Sequence, residues 1–126
     1  KLDAAGSHVW SKTFGAVSAQ RGKGIRSDAL GNVLVTGEFF GQINFGGASV
    51  TSTGLFDIFV AKLSGSGSQV WLKRFGNTQN DRGEAVAVDP SGNAWFTGSY
   101  INNVDFGGGS VTGNAAENVF LLGLQP

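Results

Sequence analysis

Cysteine is absent from this chain, so no disulfide staples it and no thiolate can hold a metal ion. That absence leaves the compartment open. His8 is the single histidine. One imidazole and no thiol exclude the usual zinc ligand sets, and no Ser-His-Asp constellation is signalled. Charge of either sign is not in excess: nine basic residues balance nine acidic ones. No basic stripe exists to attract nucleic acid or an anionic membrane. No apolar run approaches the roughly 18–20 residues that span a bilayer. Methionine is missing and proline occurs only twice.

What is plentiful is glycine, with 21 residues, and phenylalanine, with 10. Glycine is far above its average share of about 7%. The aromatics and β-branched residues fall in short runs between Gly-rich turns. Many strands and many tight turns follow, in a chain of 126 residues long enough for a real core. The chain begins at Lys1 without a methionine or signal-like segment, and reads as a processed, excised or engineered piece of something longer.

Asp57–Gly76 reads as a β-hairpin. Ile58, Phe59, Val60 and Leu63 form one apolar run, and Val70, Trp71, Leu72 and Phe75 the other. Ser64-Gly65-Ser66-Gly67-Ser68 connects them. The two ends of the chain repeat its two halves. Laid over itself so that Lys1 falls on Lys62, the sequence matches without a gap. Lys1-Leu2 then falls on Lys62-Leu63, Val9-Trp10 on Val70-Trp71 and Phe14-Gly15 on Phe75-Gly76. Arg21-Gly22 falls on Arg82-Gly83, Gly31-Asn32 on Gly92-Asn93 and Thr36-Gly37 on Thr97-Gly98. Phe45-Gly46-Gly47 falls on Phe106-Gly107-Gly108.

Each unit reads as four strands. In the second copy these are Val70–Phe75, Gly83–Val88, Ala94–Tyr100 and Asn118–Leu124. Asp89-Pro90-Ser91-Gly92-Asn93 is a turn, and Ile101–Glu117 a long connection. Four short antiparallel strands per repeat, with Gly and aromatics at fixed places, predict a β-propeller blade. The expected fold is therefore an all-β propeller of two blades, each stacking on the next because a lone blade cannot bury both faces. A β-sandwich or β-helix of two repeats is the competing fold. No 3.6-residue periodicity supports a helical solenoid.

Asp57-Ile-Phe-Val-Ala-Lys-Leu63, Val70-Trp71, Phe75-Gly76, Val86-Ala-Val-Asp-Pro-Ser-Gly-Asn93 and Thr97-Gly98 together resemble the bacterial β-propeller repeats called SBBP. The variant with a Phe-Gly-Gly loop, found in large secreted proteins of myxobacteria-like organisms, is the nearest in pattern. The resemblance covers the whole chain twice and implies a fold, a bacterial source and an extracellular or cell-surface location. It implies no particular activity. The first copy departs from it, with Gly24-Ile25-Arg26-Ser27 where the second has Ala85-Val86-Ala87-Val88.

By analogy with related propellers, Val86–Asp89 lies innermost and Val70–Phe75 outermost. Residues 16–76 then form one complete blade and residues 77–126 a second that lacks its outermost strand. Residues 1–15 carry a spare outermost strand. Head-to-tail association would let Val9, Trp10 and Phe14 of one copy meet Val119, Phe120 and Leu122 of another, closing a ring by strand exchange. Three copies give six blades and four give eight; the trimer is favoured over the tetramer. The alternative is a fragment of a longer propeller.

Candidate chemistry is sparse. Arg21 and Arg82 recur just before the innermost strand and either face a ligand or form a repeated structural pair. Phe39 and Tyr100, beside the long loop, are candidates for stacking on a sugar or for a protein ligand, which makes a lectin the alternative function. Asn77, Thr78, Gln79, Asn80 and Asp81 could supply some oxygens to calcium, but the aligned residues 16–20 could not. No other cofactor is expected. Asp28 and Asp89 read as turn caps, His8 as a solvated turn residue, and Lys12 and Lys73 as edge protection. Trp10 and Trp71 read as packing between blades. Phe45 and Phe106 read as plugs that seat the long loop. No nucleophile meets a base, so a non-enzymatic scaffold or interaction module is the expected function.

Overall fold

The computed structural model describes residues 1–126 and is all-β. Its strands are β1 (Gln20–Ser27), β2 (Val33–Phe39), β3 (Gln42–Ile43), β4 (Val50–Thr51), β5 (Asp57–Leu63), β6 (Gln69–Phe75), β7 (Arg82–Val88), β8 (Ala94–Asp105) and β9 (Ser110–Leu124). Sheet 1 runs β1-β2-β5-β6 and sheet 2 runs β7-β8-β9, and every pairing is antiparallel. Both sheets are open, and the single chain closes no barrel or ring. No helix is long and apolar enough to cross a membrane.

The repeat in sequence is a repeat in backbone. β1 pairs with β2 through a bulge between Gly22 and Gly24, and β7 with β8 through one between Gly83 and Ala85. Each bulge leaves one unpaired residue and increases the local twist. The Asp28–Asn32 and Asp89–Asn93 turns are built alike. Asp28 Oδ1 accepts from the Leu30 and Asn32 amides, and Asp89 Oδ1 from those of Ser91 and Asn93. Gly31 and Gly92 take the positive φ, +79° and +87°, that such turns need.

The hairpin at Asp57–Gly76 is present as β5 and β6, and the Ser64 amide donates to the Ser68 carbonyl to close its turn. The long connections are not plain loops. They fold back as small hairpins: Gln42 and Ile43 pair with Thr51 and Val50, and Asn103, Val104 and Asp105 pair with Thr112, Val111 and Ser110. The Phe-Gly-Gly segment sits at each tip. Phe45 and Phe106 turn back from it onto Phe59 and Phe120, with ring centroids 5.5 and 4.9 Å apart.

The Val9–Phe14 strand is not formed. Apart from an isolated Leu2–His8 bridge, residues 1–19 carry no ladder. A strand needs an edge to bond to, and the segment instead lies over the far face of sheet 1, with Phe14 on Phe45 and with Trp10 and Lys12 on the β5–β6 turn. Its turn is nevertheless a copy of the β5–β6 turn. The Asp3 amide donates to the Ser7 carbonyl as that of Ser64 does to Ser68, and Gly6 has φ +80° where Gly67 has +79°.

The two sheets share one core. Leu34, Ile58, Val60 and Phe75 of sheet 1 pack with Val86, Ala94, Phe96, Tyr100, Phe120 and Leu122 of sheet 2. Glycine sets how closely the sheets approach. A Cβ at Gly83 would lie 2.3 Å from Thr36 Oγ1, and one at Gly24 would lie 3.0 Å from Ala85 Cα. The departure of β1 from the apolar pattern therefore has a packing role at Gly24. A second core, of Phe39, Ile43, Phe45, Phe59, Ala61 and Leu63, lies on the far face of sheet 1.

Candidate functional site

Arg21 and Arg82 do not face open solvent as a ligand pair. They grip one buried carboxylate, Glu38 on β2. Arg21 Nη1 lies 2.7 Å from Glu38 Oε1, and Arg82 Nε lies 3.2 Å from Glu38 Oε2. Arg82 Nη1 reaches on to Glu117 Oε1 at 2.6 Å. Ser99 Oγ stands 3.3 Å from that same oxygen, and the Arg21 guanidinium lies 4.8 Å over the Phe56 ring. The result is a row of alternating charge, Arg21–Glu38–Arg82–Glu117, that crosses from sheet 1 to sheet 2. Of its inner members Glu38 is covered and Arg82 is partly open. Its ends are open, with the Arg21 side chain 56% exposed and the Glu117 side chain 54%.

Phe39 and Tyr100 are buried in the two cores and present no ring face to a sugar. The end of β2 is covered on both faces, so alternation leaves none of it wet there, and β8 turns Tyr100 to its covered face. Phe120 and Leu122 are likewise spent inside the shared core, while their neighbours Val119 and Leu121 stand 81% and 72% exposed. With Trp95, these two form an open apolar face on sheet 2. β9 is also bonded on one side only, to β8.

Trp10 lies over the first sheet's turn. Its indole Nε1 donates to Gly65 O at 3.1 Å, and Lys12 Nζ donates to Gly67 O at 2.8 Å. Lys12 thus fastens the segment rather than guarding an edge. Trp71 packs at the margin of the shared core. Val9 is exposed, and Phe14 stacks on Phe45 at 4.7 Å. His8 is exposed beside Ser11 Oγ.

A third cluster joins β5, β6 and the loop to β7. Asp57 and Asp81 are fully buried. Asp57 Oδ2 accepts from Arg74 Nη1 at 2.6 Å and from the Thr53 amide, while Oδ1 has no partner. Asp81 accepts from the Asn77 and Ile101 amides at 2.7 and 3.0 Å. Burial raises both carboxyls above the ordinary range, and these hydrogen bonds offset it only in part. The oxygen-rich loop Asn77–Asp81 thus spends Asp81 on its own backbone, and no group of three or more acidic, His or Cys side chains comes together to hold a metal. Asp28 shows the opposite balance. Burial opposes its charge, but hydrogen bonds from Asn32 and the nearby Lys62 outweigh it and hold the carboxyl low.

The sequence pattern passes over Glu38 and Glu117. Neither is repeated: Ser99 aligns with Glu38, and Phe56 aligns with Glu117. The signal available was the recurrence of the two arginines, each needing a carboxylate.

No family model matches the chain. Over 113 residues it is 21% identical to an uncharacterized WD repeat-containing protein of Acanthamoeba polyphaga mimivirus, a match that takes in 75% of this chain and 8% of that protein. WD repeats are propeller units of four strands. The likeness suggests a repeat protein of β-propeller-like kind.

Proposed function

We propose that the chain is a non-enzymatic scaffold, built of propeller blades of the SBBP type, whose business is to stack on further blades and present their loops to a partner. Sheet 1 with its β3–β4 hairpin is one blade, and sheet 2 is a second that takes its outermost strand from elsewhere. In this reading the 126-residue chain assembles head to tail into a ring, a trimer of six blades in preference to a tetramer of eight. Secretion or display at a bacterial cell surface goes with the SBBP resemblance.

One observation carries the reading. Phe14 stacks on Phe45 at 4.7 Å, and Phe45 on Phe59 at 5.5 Å; Phe75 stacks on Phe106 at 5.2 Å, and Phe106 on Phe120 at 4.9 Å. Phe75 ends the outermost strand of sheet 1 and rests on sheet 2. Phe14 holds the same relation to sheet 1. In this reading the N-terminal segment is the outermost strand of a preceding blade, and the contacts of Trp10, Lys12 and Phe14 with sheet 1 support it. A ladder to the free edge of a second copy's β9 would complete that blade.

The molar mass in solution tests this. The expected result is a closed oligomer, and deleting residues 1–15 is expected to abolish it and leave the β9 edge prone to aggregate. A chain that stays monomeric at its highest soluble concentration would overturn the reading.

A further inference from the structure

The interface between sheet 1 and sheet 2 is a template for the next one. Leu34, Thr36, Ile58 and Val60 on sheet 1 are buried at that interface. Their counterparts in the second repeat are Trp95, Thr97, Val119 and Leu121, which form the open face of sheet 2. On the other side, Val86 and Ala94 of sheet 2 correspond to Ile25 and Val33, at the open face of sheet 1. Ile25 and Val33 line a cleft of about 460 Å³ with Trp10 and Lys1.

The small residues match as well. Thr36 stands where a Cβ at Gly83 would be. The equivalent pair for the next interface is Thr97 and Gly22, and a Cβ at Gly22 meets nothing within 4 Å in this chain. Gly24 touches Ala85 in the existing interface. The next interface would set the Ala85 methyl against the Gly24 backbone, so at this point its two sheets would stand slightly further apart than the existing pair.

Charge fixes the register. In the existing interface Arg82 reaches back to the carboxylate of Glu38. Its counterpart Arg21 would reach back to position 99, which is a serine. Glu117, from the adjacent strand, fills that need: its carboxylate lies against Ser99 Oγ and points its open side outward. We propose that Glu117 of one copy pairs with Arg21 of a second copy, so that the row Arg21–Glu38–Arg82–Glu117 runs unbroken through the assembly. The proposal rests on the head-to-tail reading above and names the contact that sets its register. The open face receives a second copy, because a blade face of the required shape and charge exists in the chain itself.

The test compares the assembly equilibrium of the full chain with those of Gly22→Ala, Arg21→Ala, Glu117→Ala and the double variant, with thermal unfolding as the check on folding. Gly22→Ala is expected to fold as the unsubstituted chain does and to remain monomeric. Arg21→Ala and Glu117→Ala are each expected to weaken assembly about tenfold, and the double variant no further. Raised salt is expected to erase the difference between these variants and the unsubstituted chain. If the unsubstituted chain is a monomer, the head-to-tail reading falls and the pairing with it. If it assembles, Gly22→Ala blocks assembly and the two charge effects simply add, the pairing is overturned while the stacking stands. Assembly by Gly22→Ala at normal strength overturns the pairing by excluding the register it requires.

Discussion

Gly37→Ala is expected to unfold the first sheet. The Cβ would lie 1.9 Å from the Arg21 carbonyl oxygen and 2.8 Å from the Phe59 ring. The obstruction is backbone, and it is held there by the bulge that follows Gly22 in β1. No rotamer relieves it; β1 must separate from β2. A cost of about 4 kcal/mol or more follows, a large part of the roughly 5–15 kcal/mol that holds a domain folded. Gly98→Ala meets the Arg82 carbonyl at the same distance and is expected to do the same to sheet 2. Urea unfolding reads both. A midpoint unchanged from that of the unsubstituted chain would show that the bulge can open without loss.

Arg74→Ala has the second largest expected effect. It removes the one cation on Asp57, a carboxylate with no exposure and one unpartnered oxygen. Stripping the partner from a buried charge costs about 3–5 kcal/mol, and the low end applies because the Arg74 side chain is 31% open to water. The pH dependence has a definite sign. Burial already raises the Asp57 carboxyl, against the pull of Arg74 and the Thr53 amide. A raised carboxyl favours the folded state below its unfolded value of 3.8, and that advantage is lost as pH rises through the folded value. Without Arg74 the folded value rises further. The variant is therefore expected to be weakest near neutral pH and to approach the unsubstituted chain in stability toward pH 4. Thermal midpoints across that range check it; a deficit that stays constant would mean that Asp57 is not the group involved.

The repeat and the strand order are legible in the sequence because each rests on residues that recur. The two Thr-Gly pairs, the two Asp-to-Asn turns and the two Phe-Gly-Gly tips mark one backbone path twice. What recurs imperfectly is harder to read. β3 and β4 are two residues each, too short for alternation to show. Phe39 and Tyr100 look exposed beside a long connection, yet that connection folds over them as a hairpin. Val9–Phe14 has the composition of a strand, but a strand is a relation between two segments, and composition does not supply the second. Glu38 and Glu117 serve neighbouring steps of one charged row from different strands. A comparison of aligned positions cannot see that.

The shared core has a further consequence. Leu34, Ile58 and Val60 are dry only while Val86, Phe96 and Phe120 lie over them. Neither sheet can melt and leave the other intact, so nearest-neighbour coupling makes the pair one cooperative unit. Each added copy would contribute another interface of the same kind. In the proposed assembly, folding and association would draw on the same free energy, and the chain's own concentration would act on its stability as a bound ligand does.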